Sequence, residues 1–313
     1  MGLNFVNLSI TVRSNDVTQL RYCLPLLSKE YAAACRSLSC RWPERACETC
    51  SQRETCCWHL VFAQKLTSDS AALKRHQKPA LPFIFSFSLL DTFSDNQKDM
   101  VCGLVVIGQA LPHLEMLLNG FAELLLSVCA PVSAEIVQVA SRDFQGCLLK
   151  ADGDTGCVPA GKRIPENLVI ISSDVLVESQ GWIGSEMQLR LLSPLRLIED
   201  GHLLTSFEFS RFMRSAMRRV SSLVFYYGEN EEFDCDFKEL SRLADDVICI
   251  ENRFTYTNVT NNKRAGLIGD GCFRGDFRRL APFLIIGSYL HTGKGSSFGM
   301  GAYEVAFGGG DSH

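Results

Sequence analysis

Strand and helix signals run twice along the 313 residues in the loose order β-α-β-β-α-β. That order predicts an α+β protein of two tandem ferredoxin-like (RRM-like) domains, each with helices on one face of an antiparallel sheet. Three observations carry the prediction: alternating apolar residues at the head of the chain, apolar stripes at helical spacing in both halves, and a composition of 46% hydrophobic and 21% charged residues, which is that of a packed globular chain. The length supports one large domain or two of about 150 residues. The expected domains are 1–180, with a cysteine-rich insertion at about 40–57, and 181–313, with a glycine-rich loop at 293–301.

In the first half, Phe5, Leu8, Ile10 and Val12 alternate with polar residues, so Leu3 to Val12 reads as the first strand. Val17 to Leu38 has helical character, with Pro25 near its start, and the cysteine insertion follows. Leu81 to Leu90 and Met100 to Gly108 read as strands, the second ended by Gly108. Pro112 suits a first helical turn, and Leu114, Leu117, Leu118, Phe121, Leu124 and Leu125 give that helix its apolar face. Ala134 to Leu149 reads as strand or hairpin, and the Gly-, Pro- and Asp-rich Ala151 to Asn167 as loop.

The second half repeats the rhythm. Met187 to Leu192 is a strand expected to end before Pro194. Ser206 to Tyr227 is the clearest helix: Phe209, Met213, Ala216, Met217, Val220, Leu223 and Val224 form one stripe, and Arg211, Arg214 and Arg218 lie on another face. Asp246 to Thr257 and Ala265 to Phe277 read as strands or a hairpin, Leu280 to Leu290 as an apolar helix or strand, and Ala302 to Phe307 as a last strand before a loose tail.

Met1 to Thr18 lacks a signal peptide's basic and apolar regions, and no run reaches the roughly 20 apolar residues of a membrane span. The expectation is a soluble, cytoplasmic protein with no membrane partner. In a reducing compartment fourteen cysteines are not expected to form disulfides. Five fall in Cys40-x6-Cys47-x2-Cys50-x5-Cys56-Cys57. Thiolates at such spacing can close around one soft metal ion, so Cys40, Cys47, Cys50 and Cys56 are candidate ligands of a structural zinc or an iron–sulfur cluster. The alternative is free thiols on an irregular insertion.

The formal net charge of −4 disguises an uneven distribution. Gln19 to Lys78 carries ten bases and five acids, Asn252 to Gly301 seven bases and two acids, and Gly228 to Glu251 nine acids and two bases. Two basic segments that converge in the fold could hold a phosphate backbone. The second contains Gly293-Lys294-Gly295-Ser296-Ser297-Phe298-Gly299-Met300-Gly301. Glycines allow close approach and positive φ, and their amides can cradle phosphate oxygens. A nucleotide-hydrolase loop would need G-x-x-x-x-G-K-[ST] before a helix; here Gly295 stands in place of the hydroxyl residue. Glycine content alone fits a tight hairpin.

The run Leu290-His291-Thr292-Gly293 through Glu304 closely resembles the C-terminal glycine-rich motif of the CRISPR-associated endoribonucleases that process precursor guide RNA, members of the RAMP superfamily. Leu192-Ser193-Pro194-Leu195-Arg196 resembles the strand that opens that family's second domain, Arg218-Arg219 its helix, and Arg253 with Gly266, Gly269, Gly271 and Gly275 the segment before the loop. The resemblance extends to the cysteine cluster, Pro82-Phe83, and Gly103 to Gly108 before a long helix. It implies tandem ferredoxin-like domains, RNA bound across their cleft, and cleavage without a catalytic cofactor: the 2′-hydroxyl attacks the adjacent phosphate and leaves a 2′,3′-cyclic phosphate. That chemistry needs a base, an acid and cations for the phosphorane.

Many members of the family place a catalytic His in the first domain, and this chain has no His before His59. Lys29 and Tyr31 occupy the matching region, as cation and proton donor. His291, beside the glycine loop, is the first choice of general acid/base. Lys294, Gly293, Gly295, Gly299, Gly301, Arg218, Arg219, Arg253 and Arg274 are the expected RNA contacts. The implied partners are CRISPR repeat or guide RNA and other CRISPR effector subunits, with the chain a monomer or homodimer. Three functions stand: a repeat-RNA endoribonuclease, a non-catalytic RNA-binding subunit, and a metal-stabilised protein–protein adaptor.

Overall fold

The computed structural model describes residues 2–42, 44–64, 66–68, 79–87, 98–127, 132–149, 168–229, 235–257 and 265–308. The expected loop at Ala151 to Asn167, the last residues of the Leu81 to Leu90 strand and all but the first residue of the C-terminal tail lie outside them. The chain divides into two compact units: Asn4–Ile171, and Met1–Leu3 with Ser172–His313.

The first unit opens with β1 (Asn4–Ser14), whose apolar side chains are all buried. Helix α1 (Val17–Cys23) is capped by Asp16, whose carboxylate accepts from the Gln19 amide at 2.8 Å. The expected single helix is broken. Pro25 has no N–H to donate to an α-helical ladder; Leu24–Lys29 is a 3-10 turn and α2 (Tyr31–Ser39) starts afresh. After α3 (Cys57–Phe62) come β2 (Phe83–Phe87), β3 (Asp99–Ile107) and α4 (Leu114–Ser127), the last entered through a 3-10 turn that holds Pro112. Gly108 ends β3 at φ 48. The unit closes with β4 (Ala134–Arg142), β5 (Leu148–Leu149) and β6 (Ile170–Ser172).

The antiparallel pairings of β1 with β3 and β4 give the order β2-β3-β1-β4-β5, so the four main strands lie as in a ferredoxin-like sheet. The core between sheet and helices is aromatic: Tyr31 meets Phe62, Phe83 and Phe85 edge-on at 5.2–5.8 Å. Gly120 lets α4 approach α2, because a Cβ there would strike the Cys35 sulfur.

The second unit begins with α5 (Ser173–Glu178) and β7 (Glu186–Leu195). Met187, Leu189 and Leu191 point inward, while Glu186, Gln188, Arg190 and Leu192 point outward. The strand was expected to end before Pro194 but runs through it. Pro194 needs to give only its carbonyl, which accepts from the Gly301 amide at 3.0 Å. Next come the small hairpin β8 (Ile198–Glu199) and β9 (His202–Leu203), α6 (Phe209–Tyr227), α7 (Phe237–Asp245), β10 (Ile248–Asn252), β11 (Thr255–Thr257), β12 (Gly266–Arg274), α8 (Ala281–Leu290) and β13 (Tyr303–Gly308). The sheet order β10-β12-β7-β13 repeats the arrangement of the first unit. The expected apolar stripe of α6 is buried without exception. Tyr303 is locked under α8, its hydroxyl donating to the Leu284 carbonyl at 2.9 Å where Gly287 leaves room.

Candidate nucleic-acid interface

Helix α8 is apolar along its length and ends at His291, which takes φ 54 and turns the chain into the glycine loop. Gly293, Gly295, Gly299 and Gly301 all have positive φ, so the loop's path requires glycine at these four places. The loop is tied to the end of β7. The Lys294 amide donates to the Arg196 carbonyl (2.8 Å), the Gly301 amide to that of Pro194, and the Ala302 amide to the Ser193 hydroxyl (2.8 Å). Phe298 and Met300 donate to the Gly295 carbonyl within the loop. From α6, Arg219 donates to the Leu290 carbonyl (2.9 Å) and the Ser297 hydroxyl (3.2 Å), and the hydroxyls of Ser215 and Thr292 meet at 3.1 Å.

These braces correct several expectations. His291 is 3% exposed, packed in the loop's base where no phosphodiester can reach it. Burial, with the Arg219 charge added, pushes its imidazole down to about 3, so it is neutral and structural. Tyr31 is fully buried, its hydroxyl donating to the Leu117 carbonyl at 2.7 Å. It is a core residue and not a proton donor to substrate. Arg219 holds the loop from beneath; burial lowers its guanidinium to about 10, which still leaves it charged. Gly299 and Gly301 are buried and shape the loop, whereas Gly293, Lys294 and Gly295 form its accessible tip. The amides of Gly295, Ser296, Ser297 and Gly299 take no part in the bracing bonds.

Arg253 and Arg274 stand on the open face of the sheet, already paired. Arg253 reaches Asp270 at 2.5 Å and Glu251 at 2.9 Å; Arg274 reaches Glu186 at 2.6 Å. Arg190 faces Glu304 in the same way, beside an open groove of about 430 Å³. The face therefore carries compensated charge. Arg218 and Lys294 are exposed, and among the described residues neither has an ion pair. Lys29 is also exposed, at the end of its 3-10 turn. The sequence reading missed Ser193, Pro194 and Ser215 as loop braces. No periodicity marks them; only the adjacency of strand end, helix and loop does.

Cys40, Cys47, Cys50 and Cys56 do come together, around one small cavity that His59 also lines. Among the described residues no group of three or more His, Cys, Asp or Glu is arranged to hold a metal ion. Among the described residues, too, no helix is long and apolar enough to cross a membrane.

Two α+β units with antiparallel sheets, the second closing on a braced glycine loop, define a tandem ferredoxin-like protein. Residues 189–303 match the family model described as CRISPR-associated endoribonuclease Cas6, and residues 31–130 match a model described as an N-terminal domain. Cas6 of Thermus thermophilus has the same fold, with 13% identity, a TM-score of 0.54, and coverage of 98% of this chain and 100% of that one. Its product complex matches with 14% identity, a TM-score of 0.55 and the same coverage. A partial Cas6-RT-Cas1–Cas2 complex matches with 8% identity and a TM-score of 0.56 over 99% of this chain and 47% of that one. No curated protein matches the chain significantly. The resemblance read from the sequence is borne out over residues 189–303, which match the Cas6 model, and in the fold, which the solved Cas6 structures share.

Proposed function

We propose that the protein is an endoribonuclease that processes CRISPR precursor RNA, cutting within the repeat and keeping the product guide RNA. The observation that carries this reading is the loop at 293–301 inside the Cas6-matching segment, with Lys294 exposed at a glycine-flanked tip and unused amides behind it. That arrangement suits a phosphate oxygen, and Arg218 adds a second open cation on α6. The reaction is attack of the 2′-hydroxyl on the adjacent phosphate, giving a 2′,3′-cyclic phosphate and a 5′-hydroxyl. It needs no metal for catalysis. With His291 and Tyr31 withdrawn into the core, Lys29 is the one residue of the expected catalytic set that remains at the surface, and it acts as cation to the phosphorane. The matched complexes of relatives support repeat RNA as substrate and other CRISPR proteins as partners.

The burial of His291 and Tyr31 favours a second reading, an RNA-binding subunit without cleavage. Incubation of the full chain with radiolabelled repeat RNA in EDTA decides between the two. Product ending in a cyclic phosphate, reduced at least tenfold in Lys29→Ala, is expected. Tight binding with intact RNA selects the second reading, and neither binding nor cleavage ends both.

A further inference from the structure

Attack by the 2′-hydroxyl expels a 5′-alkoxide, a poor leaving group near neutral pH, so the reaction needs a proton donor more than any other helper. His291 and Tyr31 are buried and cannot serve. Histidine is the side chain type that exchanges a proton most readily near neutrality. Among the described residues His59, His113 and His291 are buried or half-buried, and His202 alone of the histidines is exposed. Its imidazole makes no hydrogen bond or ion pair among the described residues.

The fold holds His202 firmly. Asp200-Gly201 is a two-residue turn whose residues both take positive φ (48 and 82), as a type I′ hairpin requires. It pairs β8 with β9 and sets His202 directly opposite Glu199, so the two side chains share a face. Below them the Leu204 amide donates to the carbonyl of buried Leu197 at 2.9 Å, which fixes the root of the hairpin. Glu199 pairs with Arg211 of α6, whose Nε also reaches Glu208 at 3.4 Å. The glycine loop is fastened to the same two elements. The residue before Leu197 is Arg196, whose carbonyl accepts from the Lys294 amide. On α6, Ser215 and Arg219 meet the loop at Thr292 and Ser297. They follow Arg211 by four and eight residues, or about 6 and 12 Å along the helix axis. The end of β7 and one face of α6 therefore present hairpin and loop side by side.

We infer that His202 is the general acid of this site, its imidazolium donating a proton to the departing 5′-oxygen of the phosphodiester held at the glycine loop. The inference rests on the cleavage function proposed above. As the 2′-oxygen bonds to phosphorus, the bond from phosphorus to the 5′-oxygen breaks. The proton of the 2′-hydroxyl passes to water, the proton of His202 goes to the 5′-oxygen, and the imidazole is reprotonated from solvent. Lys294 and the loop amides hold the non-bridging oxygens through this exchange. Glu199, through its pair with Arg211, keeps the hairpin against α6.

The test compares wild type and His202→Ala, as full chains, in single-turnover cleavage of labelled repeat RNA in EDTA. Once the cut position is mapped, a second RNA carries sulfur in place of the bridging 5′-oxygen there. Wild type is expected to cleave both. His202→Ala should keep its thermal midpoint and its affinity for RNA, and should cut the oxygen linkage about 100-fold more slowly or worse. A thiolate leaves without a proton, so the variant should cut the sulfur linkage within about threefold of wild type. Added imidazole should restore part of the loss on the oxygen linkage. A His202→Ala rate equal to wild type on ordinary RNA overturns the inference and leaves the cleavage function standing. So does an equal loss on both linkages, which would mark a base or a structural role. Wild type that binds RNA and never cuts it removes both.

Discussion

His291 shows how a residue's chemistry depends on where the chain puts it. At a helix end beside a phosphate-binding loop, the imidazole type suggests acid/base work; at 3% exposure it braces the turn. Its lowered pKa has a direct consequence for stability. The unfolded chain takes up a proton below about pH 6.5 and the folded one does not until about 3, so stability present above 6.5 is lost as pH falls through that window. The expected loss is ~1.4 kcal/mol per pH unit, or ~2 kcal/mol between pH 6.5 and 5. Urea midpoints of wild type and His291→Asn across this range measure it, asparagine tolerating the positive φ. The difference between the two should grow toward neutral pH and shrink toward acid; a constant difference would mean that the histidine takes up its proton equally in the folded and the unfolded chain. Nothing in the sequence could reveal this burial, because Arg219, Ser296 and Met300 reach the ring only after helix and loop have packed together. Tyr31 was misread for the same reason: the partners that enclose it lie thirty to ninety residues away.

At the scale of elements, periodic signals were legible and contact-dependent ones were not. The stripe of α6 repeats at helical spacing from Phe209 to Val224, and every member of it is buried. The strand β7 continued past its expected end because its final residues serve both: Leu195 pairs with Leu267 in the sheet, while Ser193 and Pro194 accept from the loop. The glycine loop is likewise an element, and its four glycines are not equivalent. A Cβ on Gly301 would overlap the Thr292 carbonyl, and one on Gly293 would stand 2.6 Å from the Arg196 carbonyl. On Gly295 it would meet only the flexible Met300 side chain, at 3.0 Å. Gly295→Ala should therefore cost ~1–2 kcal/mol, the ordinary penalty for a left-handed residue, while Gly301→Ala should cost clearly more because backbone must shift. Thermal denaturation of the two variants ranks them, and equal losses would contradict the bracing described for Gly301.

At the scale of the whole molecule, the charge sum of −4 conceals where cations are open and where they are spent. Segment counts pointed to a basic C-terminal stretch, but the count could not see that cross-strand neighbours neutralise Arg253 and Arg274. On single-stranded RNA each lost phosphate contact flattens the salt dependence by about 0.7 in log–log slope. Lys294→Ala and Arg218→Ala should each do so, and Arg253→Ala and Arg274→Ala should leave the slope unchanged. Binding isotherms across a salt series test this, and a slope change in the paired arginines would show that those ion pairs open for RNA. The edge strand β10 leads elsewhere. All five of its residues are exposed, among them Ile248 and Ile250, and one margin of its backbone faces outward at the end of the sheet. Such a margin is a template on which a second chain could extend the sheet. Asp245, Asp246 and Glu251 stand at its ends, each paired with an arginine, Arg214, Arg242 and Arg253 in turn, so this margin is bordered by spent charge and the apolar side chains of Ile248 and Ile250 are what a neighbouring strand would meet.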